Sequence, residues 1–317
     1  MSEQQKLTMT HRSPTDIRIA EHVSRALAEQ SPVVGLESTV IAHGLPQPLN
    51  LETALACEVA VRERGATPAT IGIIDGVPTI GLSEDEIKLF AARQAPDGSS
   101  IEKAGLNNLA GLMVRRSWGA TTVASSLKLA HAAGIRVFST GGIGGVHRGA
   151  SESFDVSADL TALGNTPLIC VCAGAKAILD LAKTVEYLET LGVPILGYRT
   201  DEFPAFYSCS SGLPVDAEIE TPEEAAAIAK HHWRICSSTA VLVCVPIPAE
   251  FELASVEVEG AIDQAMTWSA EQGIRGKALT PFLLSQLEKL TGGKTLKANR
   301  ALLINNASVA ARIAVTL

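Results

Sequence analysis

Lys176 follows the apolar run Leu168–Cys172 through the tight turn Ala173-Gly174-Ala175. A helical period (Ile178, Leu181, Ala182, Val185, Leu188) begins just after it, so the spacing predicts Lys176 at the start of a helix over Ala177–Leu191. The positive end of a helix and partial desolvation both disfavour an ammonium ion there. A neutral lysine amine attacks carbonyl carbon and forms Schiff bases. The same position also suits a phosphate ligand or a surface lysine.

Other reactive side chains also follow apolar runs. Glu37 comes directly after Val33–Leu36, where a carboxylate is a candidate acid or base; it could equally cap a turn or pair with a lysine. After Ile135–Phe138 the stretch Thr140–Gly149 holds five glycines and ends on His147-Arg148-Gly149. Glycine permits close backbone approach, and successive amides can cradle an anion, so this loop reads as a phosphate or ribose contact or as a merely tight turn. It carries no Gly-Lys-Ser/Thr and no convincing dinucleotide fingerprint. Next come Asp155, Ser157 and Asp159. A hard cation on Asp155 and sugar hydroxyls on Asp159 compete with simple helix capping. Gly119–Ser126 opens another helix whose free amides suit an anion, with Lys103 upstream, or whose Thr121 and Thr122 serve as ordinary caps.

These residues need a frame that brings strand ends together. Val33–Leu36, Thr70–Ile74, Ile135–Phe138, Leu168–Cys172, Ile195–Gly197 and Ala240–Val245 read as strands, and Val77–Gly81 as a hairpin partner across Asp75-Gly76. Helical patterns cover Thr15–Glu29, Leu51–Arg64, Glu84–Ala92, Thr121–Ala133, Pro222–Trp233, Ser255–Glu271, Thr280–Leu290 and Leu296–Val315. Alternation of the two predicts an α/β fold with a mostly parallel central sheet covered on both faces. In such sheets ligands bind beyond the carboxyl ends of the strands. The 317 residues show no linker, repeat or low-complexity tract and read as one domain, 1–317, with residues 1–14 as a flexible tail.

A net charge of −8 argues against non-specific nucleic-acid or anionic-membrane binding, though not against one phosphorylated small molecule. The six cysteines lack C-x-x-C spacing and read as free thiols of a reducing cytosol. With neither an apolar leader nor a membrane-length apolar run, the expected location is the cytoplasm.

Taken together, Leu36–Gly44, the Thr140–Gly149 loop, Asp155–Leu160, Cys172–Lys176 and the run GYRTDEFPAFY from Gly197 to Tyr207 resemble the pseudouridine-5′-phosphate glycosidases, also called indigoidine synthase A-like proteins. The likeness runs from about Val33 to the end of the chain. It implies a three-layer α/β/α sandwich, a homotrimer and a divalent metal, often manganese. The implied reaction is reversible cleavage of the C–C bond of pseudouridine 5′-phosphate to uracil and ribose 5-phosphate. By the same resemblance Lys176 matches the nucleophile, Glu37 the proton donor and Asp155 the metal ligand. Ser157, Ala158, Asp159, Lys103 and Val123 match substrate contacts, and His147 and Asn299 further pocket residues. One segment departs. After the lysine matched by Lys103 the relatives commonly read Ser-Arg-Arg-Asp-Leu, whereas here the chain reads Ala104-Gly105-Leu106-Asn107-Asn108-Leu109 and Arg115-Arg116 comes later. A Schiff-base aldolase, a C-glycosidase for another ribosyl phosphate and a non-catalytic phosphosugar sensor are the competing readings.

Overall fold

The computed structural model describes residues 17–274 and 279–317. The expected tail, 1–14, and the first two residues of the expected Thr15–Glu29 helix lie outside them.

Thirteen strands are described: β1 (Arg18–Ile19), β2 (Val33–Leu36), β3 (Thr67–Ile74), β4 (Val77–Ile80), β5 (Glu102–Ala104), β6 (Gly119–Thr121), β7 (Val137–Ser139), β8 (Val146–His147), β9 (Ile169–Cys172), β10 (Leu179–Asp180), β11 (Ile195–Tyr198), β12 (Ala217–Ile219) and β13 (Val241–Cys244). Eleven of them form one sheet in the order β1-β4-β3-β2-β7-β9-β13-β11-β12, with β6 joining β3 and β5 joining β6. From β3 to β12 along this path every pairing is parallel. The antiparallel pairs are β3–β4 and β3–β6. The β3–β4 hairpin turns on Asp75 (φ 48°) and Gly76 (φ 75°), the left-handed pair that a two-residue turn demands.

Every residue of β2, β9, β11 and β13 is buried. Side chains alternate between the faces of a strand, so both faces of the sheet are covered, as continuous apolar runs require. The covering helices are α1 (Glu21–Ala28), α2 (Leu49–Glu63), α3 (Glu84–Ala92), α4 (Leu109–Arg115), α5 (Val123–Ala132), α6 (Ala150–Ser153), α7 (Ala158–Leu163), α8 (Leu181–Thr190), α9 (Pro222–Ile235), α10 (Ser255–Glu271), α11 (Leu279–Leu290) and α12 (Lys294–Thr316). Helix α12 lies along β2, β7 and β9 and packs on α2 and α9, while α5 packs on β2, β3 and α7. The result is the expected α/β architecture with a mostly parallel central sheet.

Two helix expectations are corrected. Arg18–Ile19 is an edge strand paired with β4, and α1 starts only at Glu21. The helix after Lys176 starts at Leu181, not Ala177; its cap is Asp180, whose side chain accepts the Lys183 amide. The residues between form a turn and then β10, which pairs antiparallel with β8, Leu179 opposite His147. Among the described residues no helix is long and apolar enough to cross a membrane. All six cysteines are free thiols; Cys57, Cys170, Cys172 and Cys244 are buried, Cys209 partly so, and Cys236 is exposed.

Candidate active site

Strands β2, β7 and β9 are consecutive parallel neighbours, so their carboxyl ends open on one edge of the sheet. Register pairs Leu36 with Ser139 and Ser139 with Val171. The residues that leave this edge are Glu37, Thr140 and the Ala173–Lys176 turn. Glu37 is 8% exposed. Thr140 Oγ1 donates a short hydrogen bond to its Oε1. Burial raises the Glu37 carboxyl above its ordinary range; the charge of Lys176, the Thr140 bond and Lys103 pull it back, while Asp159 adds to the rise. A buried carboxyl raised above its ordinary range is suited to proton delivery.

Lys176 is placed by backbone contacts rather than by a helix end. Its amide donates to the Ile143 carbonyl at 3.1 Å. Two residues earlier, Gly174 has φ 79°, and a Cβ there would lie 2.1 Å from the Pro204 carbonyl oxygen. A Cβ on Gly142 would lie 2.6 Å from the Phe206 ring. The 203–207 segment thus backs both the lysine turn and the glycine loop. The helix-dipole argument for Lys176 does not apply, because the positive end of α8 lies at Leu181.

The glycine loop binds the chain's own carboxylate. Asp159 Oδ2 accepts the Gly144 amide at 2.8 Å and Oδ1 accepts the Ala124 amide, at the start of α5, at 2.9 Å. Ser157 Oγ in turn accepts the Asp159 amide. A Cβ on Gly144 would meet Ser157 Oγ at 2.2 Å, and one on Gly145 would meet Thr184 Oγ1 at 2.3 Å. Here the glycines allow close packing of the loop on its own side chains. Arg148 turns toward α10, pairing with Glu259 at 2.8 Å and Asp263 at 3.4 Å.

His147 Nδ1 lies 3.9 Å from Asp155 Oδ2. Burial holds the imidazole below its ordinary range, Asp155 partly opposes this, and Lys176 and Lys103 reinforce it. The Asp155 side chain is 40% exposed. No cluster of three or more His, Cys, Asp or Glu that could hold a metal ion occurs among the described residues. One accessible carboxylate does not make a closed cage. It fits a hard divalent ion that keeps most of its water.

Two chambers meet at Glu37, Lys103 and Lys176. The first, about 420 Å³, is lined by Thr122, Val123, His147, Asp155, Ser157, Ala158 and Asp159. The second, about 390 Å³, is lined by His43, Arg93, Thr140, Phe206, Leu284 and Asn299. All ten residues selected from the sequence line one chamber or both. The divergent segment forms part of the first wall through residues 105–108. There Asn108 is folded inward, accepting the Gly105 amide at 2.8 Å and donating to the Lys103 carbonyl at 3.0 Å. Arg115 pairs with Glu102 at 3.6 Å, and neither it nor Arg116 lines a chamber. Sequence reading passed over Thr140, Arg93 and Phe206. Thr140 was within reach, since it ends a strand beside Glu37; Arg93, at the left-handed end of α3, carries no local signal.

Comparison with known proteins gives a consistent result. A pseudouridine-5′-phosphate glycosidase of Caldanaerobacter subterraneus is 52% identical over 95% of this chain and 96% of its own. One from Arabidopsis thaliana is 46% identical over 95% and 90%. Among solved structures, the prealnumycin C-glycosynthase in complex with ribulose 5-phosphate superposes with a TM-score of 0.87 at 39% identity, covering 96% of this chain and 98% of that one. An indigoidine synthase A-like protein of Thermotoga maritima gives 0.86 at 36% identity with the same coverage. A family model described as indigoidine synthase A like protein matches residues 22–316, and this chain belongs to that family.

Proposed function

We propose that the chain catalyses reversible cleavage of the C–C glycosidic bond of pseudouridine 5′-phosphate, consuming water and giving uracil and ribose 5-phosphate. The observation that carries this reading is the junction itself: a buried carboxyl and a lysine beyond strand ends one strand apart, between two chambers of substrate size. The first chamber takes the ribosyl phosphate, with Lys103 and the Val123 amide at the start of α5 as its anion-binding side. The second takes the nucleobase, with Phe206, Asn299 and Arg93 around a flat ring. A relative solved in complex with ribulose 5-phosphate supports a pentose phosphate as part of the substrate.

The bond to be broken has no oxygen or nitrogen leaving atom, so protonating it as ordinary glycosidases do is insufficient. Lys176 Nζ bonds to C1′ as the ring oxygen O4′ departs and takes a proton from Glu37. The Glu37 carboxylate takes up the extra proton of Nζ, the freed nitrogen lone pair forms the C1′=N iminium while the C1′–C5 electron pair leaves with uracil, and Glu37 passes that proton to C5. Water adds to C1′ and releases ribose 5-phosphate and the free amine. A divalent ion such as manganese, held by Asp155, supplies positive charge beside the sugar. A homotrimer in the cytoplasm is the assembly and location proposed for this enzyme.

Incubating the protein with Mn²⁺ and pseudouridine 5′-phosphate tests the reaction through release of uracil. Ribose 5-phosphate with borohydride tests the covalent step through added mass on Lys176. No uracil release, or activity surviving Lys176→Ala, overturns the proposal. The 39% identity to a C-glycosynthase makes a different aglycone the second reading; turnover of another C-ribosyl phosphate in place of pseudouridine 5′-phosphate would select it.

A further inference from the structure

Thr140 stands between the proton donor and the core, and it is 2% exposed. Its backbone is fixed on both sides. The amide donates to the Val171 carbonyl at 3.0 Å. The carbonyl accepts Asn306 Nδ2 at 2.9 Å, and the same nitrogen reaches the Gly141 carbonyl at 3.2 Å. Asn306 sits on α12, fully buried, with its own Oδ1 unpartnered. A buried amide oxygen without a partner is costly, and the two bonds its nitrogen makes offset that cost.

We infer that Thr140 is a positioning residue for proton transfer: its hydroxyl holds Glu37 Oε1 so that Oε2 is left for the reacting atoms, and Asn306 fixes Thr140 in turn. This rests on the reading of Glu37 as proton donor. A hydroxyl suits the task because it has one hydrogen to donate and two lone pairs to accept with. It can donate to Oε1 both in the carboxylate and in the acid whose proton sits on Oε2, because Oε1 is then the carbonyl oxygen. A group that gives up a proton and takes it back thereby keeps one partner and one rotamer in both states. A fixed ammonium or guanidinium in that place would favour the ionised form alone. The other groups acting on Glu37 are fixed charges or burial: Lys176 and Lys103 favour ionisation, Asp159 opposes it, and the Cys170 thiol beneath feels the same carboxylate.

The test compares Thr140→Val, Thr140→Ser and Asn306→Leu by steady-state kinetics across pH, with thermal melting as a fold control. Thr140→Val should lower kcat by about 10–100-fold, with KM within about threefold, and Thr140→Ser should recover most of it. Because the hydroxyl bond pulls the Glu37 carboxyl down, its loss moves the alkaline limb of activity to higher pH. Asn306→Leu keeps the hydroxyl and loses its support, so a smaller fall in kcat is expected. A folded Thr140→Val enzyme with wild-type kcat and pH profile overturns the inference. Equal losses in the valine and serine variants with an unmoved limb make the role steric only and also overturn it. Glu37→Gln separates the two levels. If it stays active, the proton-donor reading falls. If it is inactive while Thr140→Val is normal, only the present inference falls.

Discussion

The two chambers are built in different ways. The first is walled mainly by short stretches of chain, 105–108, 122–123, 155–159 and 178–179, together with Glu37, Lys103, Gly144, His147 and Lys176. Asp159 ties this wall together by joining the glycine loop to the start of α5. The second is walled by side chains from elements far apart in sequence, with His43 in a short π-helical turn, Arg93 at the end of α3, Phe206 in the 203–207 segment and Asn299 on α12. A wall made of amides and a clamping carboxylate is rigid and suits a substrate part that never varies. Side chains from separate elements can be exchanged one at a time, which is where aglycone specificity can change.

The largest expected effect falls where the chambers meet. Lys176→Ala should lower kcat by about 10³-fold or more, since it removes the amine assigned to the covalent adduct, while Lys103, the other amine at the junction, is assigned to the phosphate. A loss of less than about tenfold would remove Lys176 from the covalent step.

Breaking the clamp comes next. Asp159→Asn turns an amide –NH₂ toward the Gly144 or Ala124 N–H and leaves that buried donor without an acceptor, at about 1–3 kcal/mol. Melting should fall by several degrees. The sign of the pH effect is opposite to that of Thr140→Val. Asp159 raises the Glu37 carboxyl, so removing its charge lets Glu37 ionise earlier, and the alkaline limb moves to lower pH. A limb that stays in place would show that Glu37 does not set it.

Legibility of the molecule in its sequence divides along the same line. Strands β2, β9, β11 and β13 were legible because a strand buried on both faces is a continuous apolar run. Glu37 and Lys176 followed from them, since each comes soon after one of these strands, β2 and β9. The start of α8 was misread because Ile178 and Leu179 fit a helical period while serving as turn and strand; Asp180, four residues before Thr184, was the capping signal that marked the true start. Strands β1, β8 and β10 are two residues long and exist only through their partners. Arg93 and Phe206 reach the second chamber through packing over long sequence distances, which no local spacing records.

Metal removal should have a moderate effect. Stripping divalent ions with EDTA should lower activity severalfold, with Mn²⁺ restoring it, and Asp155→Ala should abolish the restoration. Full activity in the metal-free protein would leave Asp155 with a structural role.

The smallest effect tests the assignment of the chambers directly. Arg93 lies at the surface end of the second chamber, and one of its nitrogens is already donated to the Leu45 carbonyl at 3.1 Å. Arg93→Met keeps much of the side-chain length and removes the remaining donors. In the direction of synthesis, from uracil and ribose 5-phosphate, the KM for uracil should rise about 3–10-fold, the loss of about one hydrogen bond to a charged donor. The KM for ribose 5-phosphate should stay unchanged, because its anchors, Lys103 and the start of α5, are untouched. If the KM for ribose 5-phosphate rises instead, the sugar phosphate occupies the second chamber, and the rigid wall around Asp159 faces the base.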